Sequence, residues 1–245
     1  MNQHEEFYVG YLPHAPRRLS KWIRNLCIVL LGSAALVAVG LVWGLRKLPF
    51  SVFEFGQPQN FEGIIQARPY PTLLLRNGKA LTQHVLVAEG KHGAEVAEFD
   101  GRTVRLKATR IYRDGLTMLE VVTDSLQVVN DAAITDLPAQ DLGTFTLVGE
   151  IVDSKCYVGV MNPGETKVHR ECAVRCISGG IPPMLVARDV AGNTIALQLV
   201  SSSGAPVNQA VLDLVAEPVQ ITGQVVRRGE QLMLKADPNT YLRVP

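Results

Sequence analysis

The feature that most restricts what this chain can fold into is the run LCIVLLGSAALVAVGLVWGL, Leu26 to Leu45, which contains no charged residue. As an α-helix the run is about 30 Å long, the thickness of a bilayer's hydrocarbon core. Trp22 and Trp43 stand near its ends, where indoles favour the headgroup layer. Arg17, Arg18, Lys21 and Arg24 precede it, and only Arg46 and Lys47 follow closely. A single membrane-spanning helix is therefore expected over residues 25–46, with residues 1–24 as a cytoplasmic tail. The rest of the chain is expected outside the cytoplasmic membrane, in the periplasm of a Gram-negative source. The run is longer than a usual signal-peptide core, and Ala38 with Gly40 makes a poor cleavage site, so the helix is expected to stay as an anchor. Gly40 and Gly44 have the spacing that lets a second helix approach, although small residues are common in membrane helices generally. Cys27, at the cytoplasmic end, reads as a small apolar filler.

Charge then excludes one class of partner. The net charge of +1 hides an uneven distribution: residues 1–48 carry six Lys or Arg against two Glu, leaving 18 basic and 21 acidic residues in 49–245. No basic cluster follows Lys47, so nothing resembles the cationic face that displaces counterions from nucleic acid, and nucleic acid is set aside.

After the apolar run the periodicity changes to alternation. In RTVRLKATRIYRDGLTMLEV, residues 102–121, Val104, Leu106 and Ala108 alternate with polar residues, and Arg113-Asp114-Gly115 is a hairpin signal. EPVQITGQVVRRGEQLMLKA, residues 217–236, repeats the pattern with Gly229 at the turn. The repeat distance is about 115 residues, and the stretches before each hairpin also correspond, which predicts a tandem β module. The modules are placed at 52–130 and 143–245, joined by the polar, proline-containing linker 131–142. The strand rhythm resembles that of an OB-type barrel, in which a small antiparallel sheet closes on itself and leaves no edge. An immunoglobulin-like sandwich fits less well, with too few strands per module and no Cys-Trp-Cys arrangement. The expected fold is thus mainly β: one N-terminal transmembrane helix, then two tandem OB-like barrels, the second carrying an inserted short helix.

That insertion holds the chemistry. In DSKCYVGVMNPGETKVHRECAVRCISGGIPPM, residues 153–184, lie Cys156, His169, Cys172 and Cys176, whereas the first module has no cysteine. Asn162 and Pro163 read as the cap and first residue of a helix of about 14 residues, with Glu165 reaching back and Gly179-Gly180 and Pro182-Pro183 ending it. His169, Cys172 and Cys176 would then share one helix face, with Cys156 arriving from the preceding strand. Three sulfurs and an imidazole suit Zn or a thiophilic ion such as Cu(I). The competing reading is a disulfide from Cys156 to Cys172 or Cys176, since residues one helical turn apart are poorly oriented to bridge each other. It leaves one thiol over, for which thiol redox chemistry is the third reading. Asp153 is a candidate acceptor behind the cluster. His4, His14, His84 and His92 have no partner pattern, and no catalytic triad, nucleophile elbow, P-loop or dinucleotide motif is readable.

GEIVDSKCY, HRECAVRC and GGIP, followed by VQITGQVVRRGEQLML, resemble an uncharacterised family of exported bacterial OB-like β domains with a Cys…HxxCxxxC…GGIP pattern, here in a membrane-anchored two-module form. The matching positions are Cys156, His169, Cys172, Cys176, Gly180, Ile181 and Pro182, and the resemblance covers about 100 residues. EFYVGYLPHAP, residues 6–16, is similar to the lead-in of longer anchored members. The haem chaperone of cytochrome c maturation is a more distant likeness, and this chain lacks its C-terminal histidine motif.

Together these readings predict a non-enzymatic accessory or assembly protein, anchored in the bilayer and meeting a membrane or periplasmic protein of a redox or cofactor system. Its Cys/His cluster would be a structural disulfide or a metal site. A copper or zinc carrier and a thiol-disulfide oxidoreductase are the alternatives.

Overall fold

The computed structural model describes residues 16–46, 50–77, 80–131 and 137–244. The N-terminal tail to residue 15, with His4 and His14, and residues 132–136 of the expected linker lie outside them.

The chain divides into two units, residues 1–48 and 49–245. The first contributes helix α1, Arg17–Leu45, none of whose residues is buried and whose most apolar window has a mean hydropathy of 2.5. The helix is long and apolar enough to span a membrane. Trp22 and Trp43 project from it, 62% and 69% exposed.

The second unit holds two closed five-stranded barrels with the same strand order. The first is built from β2 (Gln59–Gln66), β3 (Thr72–Asn77), β4 (Ala80–Val87), β5 (Arg102–Arg113) and β6 (Leu116–Val121). They follow the order β2-β3-β4-β6-β5, and β5 pairs back onto β2 to close the cylinder. Two short strands, β1 (Ser51–Phe53) and β7 (Gln127–Asp131), flank β5. The second barrel repeats the arrangement with β8 (Ala139–Asp153), β9 (Pro183–Arg188), β10 (Thr194–Val200), β11 (Pro218–Arg228) and β12 (Gln231–Lys235), while β13 (Leu242–Arg243) adds to β11. In each barrel the third and fifth strands pair in parallel, β4 with β6 and β10 with β12, and all other pairs are antiparallel. This is the arrangement expected of tandem OB-like modules. Residues 139–142, placed in the linker by composition, belong to β8.

The alternation read from sequence is the cause of closure. Val104, Leu106 and Ala108 on β5 point into the first core with Ile65, Leu73, Leu86 and Leu119. Val219, Ile221 and Val225 on β11 do the same in the second with Ile151, Leu185, Leu197 and Leu234. Asp114 and Gly115, at φ 46° and 81°, form the two-residue turn between β5 and β6, since a type I′ turn needs left-handed backbone at both positions.

A third apolar cluster lies between the barrels and joins them. Val87, Ile111 and Met118 of the first pack with Val152, Tyr157, Val158, Ile181, Met184 and Val186 of the second, and Cys156 and Cys176 belong to this cluster. Around it Arg113, 2% exposed, lies over the Tyr157 ring with its guanidinium carbon 4.4 Å from the centroid. Buried Tyr70 donates through its hydroxyl to the carbonyl of Leu199, 2.9 Å, and accepts from the amide of Val207, 3.1 Å. The inserted cysteine segment, residues 154–182, therefore sits at a packed seam.

Candidate functional site

The segment departs from expectation at its start. Asn162 and Pro163 are joined by a cis peptide, and no helix begins there. The chain instead makes one 3-10 turn at Lys167–His169 and then helix α2, Arg170–Ser178. Propensity favoured Pro163 as a first helical residue, but Gly164 explains why the chain turns elsewhere. A Cβ at Gly164 would lie 2.5 Å from the backbone of Cys156, so the loop doubles back over the first cysteine rather than running on as a helix. Cys156 is likewise not on the strand: β8 ends at Asp153, and Cys156–Val160 forms a wide helical turn.

Asp153, wholly buried, organises that turn. Its Oδ1 accepts the Cys156 amide at 2.8 Å, and its Oδ2 lies 3.0 Å from Nε2 of buried His169. The expected acceptor role of Asp153 is thus realised through the first turn and the imidazole together.

The four predicted residues fall into two overlapping groups. The sulfurs of Cys156, Cys172 and Cys176 lie within 4.8 Å of one another, and the ligand atoms of Asp153, Cys156 and His169 do the same. Cys156 is common to both, so His169 meets the sulfur set through Cys156 and faces Asp153. All four cysteines of the chain are free thiols, with Cys156 and Cys176 buried and Cys172 partly exposed. Residues of this kind so placed can hold a metal ion.

A residue that the sequence did not single out completes the site. Nζ of Lys91, from the β4–β5 loop of the first barrel, is 2.7 Å from Sγ of Cys172 and 3.9 Å from Sγ of Cys176. Its backbone is held from both sides. Buried Lys155 donates to the carbonyls of Ala88, 2.8 Å, and Gly90, 2.7 Å, and pairs with Glu120. Gly93 donates to the carbonyl of Gly179 at 3.0 Å. A Cβ on Gly179 would lie 2.1 Å from the Lys91 carbonyl, and one on Gly93 would lie 2.6 Å from that of Gly180. The glycine pair that ends α2 thus also admits the first barrel's backbone. Lys91 stands 81 residues from Cys172 on the other module, so no local pattern links them. The only sequence hint is the Gly-Lys-His-Gly turn that presents it.

The electrostatics follow from these contacts. Its hydrogen bond with Cys176, followed by burial and the Asp153 charge, pushes the Cys156 thiol far up. The same hydrogen bond draws Cys176 down against its burial, and the Lys91 charge adds to that pull. The hydrogen bond to Cys172 raises the Lys91 ammonium. Cys176 is therefore the sulfur that the site readies as a thiolate, with Cys156 as its proton donor and Lys91 as its counter-charge.

Among the described residues, His84 and His92 are not part of this site. His84 lines a cavity of about 50 Å³ between the barrels, with Gln83, Ser154 and Gln198, and His92 lines a separate groove near Glu89 and Glu95. No family model matches this chain, and no curated protein matches it either.

Proposed function

We propose that this chain is a bilayer-anchored accessory protein that holds one soft metal ion, Cu(I) or Zn, on Cys156, Cys172 and Cys176, outside the cytoplasmic membrane. The observation that carries the reading is the convergence of three sulfurs within 4.8 Å at the junction of two barrels. Tetrahedral Zn with bonds of about 2.3 Å places its sulfurs roughly 3.8 Å apart, so the set needs only a small contraction to close on an ion. Lys91 offsets part of the negative charge that three thiolates bring, and the Asp153–His169 pair fixes the turn bearing Cys156. An anchored holder of this kind would serve a redox or cofactor-assembly system of the same membrane, with its N-terminus in the cytoplasm, as the positive flank of α1 favours.

Elemental analysis and thiol counting on the full chain, purified in detergent without added thiol and under exclusion of air, test the reading. One Cu or Zn per chain is expected, with loss in Cys172→Ser and in Cys176→Ser. A metal-free chain with a single reactive thiol among the three would overturn it in favour of a Cys156 disulfide. A metal-free chain whose thiols exchange with small disulfides would overturn it in favour of an oxidoreductase, the reading that the lowered Cys176 thiol favours.

A further inference from the structure

Lys91 and Cys172 approach each other more closely than the metal reading requires. The separation of 2.7 Å is at the short end for an N–H···O hydrogen bond, about 2.7–3.2 Å, although sulfur is the larger atom. The contact is also confined. Lys155 grips the carbonyls one and three residues before Lys91, at Gly90 and Ala88, and the Gly179–Gly93 bond fixes the other side. Cys172 is the one partly exposed sulfur of the three, so small oxidants reach it while Cys156 and Cys176 are shielded. Lys91 reaches Cys176 only at 3.9 Å, which selects a single partner.

We infer that Lys91 and Cys172 form a reversible covalent cross-link in which one oxygen atom joins Nζ to Sγ, so that oxidation staples the first barrel to the second. Two single bonds through one oxygen span a gap of this size, whereas a direct N–S bond would draw the two atoms much closer. The reaction starts from the amine of Lys91 and the thiol of Cys172, the neutral forms of the two side chains in contact. The amine then loses one N–H and the thiol its S–H, and N–O and O–S bonds form. Nitrogen and sulfur give up two electrons each. Dioxygen accepts all four and leaves one oxygen in the bridge and one in water; alternatively two molecules of hydrogen peroxide accept two each and leave one oxygen in the bridge and three in water. Two dithiols reverse the step, each giving two electrons and leaving as a disulfide: cleavage of the O–S bond frees the Cys172 thiol, and cleavage of the N–O bond then returns the amine and releases the oxygen as water.

The bridge needs only these two side chains, so it stands apart from the metal reading. It would, however, withdraw Cys172 from the three-sulfur set, and oxidised chain would then take up less metal until reduced. The test uses the full chain in detergent, stripped of metal and treated with hydrogen peroxide, followed by peptide mass mapping. The expected product joins the Lys91 and Cys172 peptides, carries one added oxygen and two fewer hydrogens than their sum, and disappears with dithiothreitol. It should be absent from Lys91→Arg, which keeps the charge without an amine, and should persist in Cys176→Ser. Disulfides among the cysteines with no lysine peptide would overturn the inference. So would a linked pair lacking the added oxygen, which would be a direct N–S bond. Neither outcome bears on metal stoichiometry, so the two proposals fail separately.

Discussion

At the scale of single residues, the cysteine site depends on atoms that carry no chemistry of their own. Gly179 is the clearest case: its hydrogen occupies the only room left beside the Lys91 carbonyl. Gly179→Ala should destabilise the fold by about 3 kcal/mol, as overpacking against backbone does, read from chemical denaturation. It should also reduce the peroxide-induced link, because the shift needed to admit a Cβ moves the loop that aims Lys91. An unchanged denaturation midpoint would show that the two loops do not meet. Cys156, Cys172 and Cys176 were legible in the sequence, since few residue types serve such chemistry and all three lie in one insertion. Lys91 was not legible, because an exposed lysine in a turn looks like any other until the fold brings a thiol to it.

At the scale of elements, the inserted segment is held by a charge where its composition suggests a capped helix. Lys155, its side chain 3% exposed, follows the last residues of β8 and reaches into the first barrel to meet Glu120 and two carbonyls. Lys155→Met removes one partner of a buried pair and leaves Glu120 uncompensated, which costs about 3–5 kcal/mol. The double variant with Glu120→Gln should recover part of that loss, and a double-mutant cycle measures the coupling. Additive losses would mean that the pair contributes nothing. The short α2 has a related cause: Gly164 must pack on Cys156, and Asn208 donates through Nδ2 to the carbonyls of Ile177 and Ile181, so both ends answer to tertiary neighbours rather than to propensity.

At the scale of the whole molecule, the two barrels form one compact unit, joined by a cluster of buried apolar side chains that both contribute. The cavity beside that cluster makes stability depend on pH. Burial pulls the His84 pKa below its ordinary value, against the hydrogen bond that Thr117 contributes. The unfolded chain therefore binds a proton before the folded one does. Stability should be complete above about pH 7 and fall as pH drops through the unfolded value of about 6.5, until the folded imidazole also titrates. Denaturation midpoints measured across that window should show the fall, and His84→Gln should flatten it; an equal slope in the variant would point to another group.

What the sequence alone determined was everything that depends on near neighbours. An uncharged run of 20 residues needs an apolar surrounding along its whole length, and alternating strands with Asp-Gly and Gly turns hide one face by packing or closing their sheet, for which short modules with few strands favour a barrel. The tertiary structure decided what stands opposite the cysteines. It gave His169 to Asp153, set Lys91 against Cys172 and packed the glycines against a loop from the other barrel. The physical reason is that each of these contacts joins residues from separate stretches of chain or from separate barrels. Such encounters are settled by how the barrels pack, and a sequence pattern records only its own surroundings.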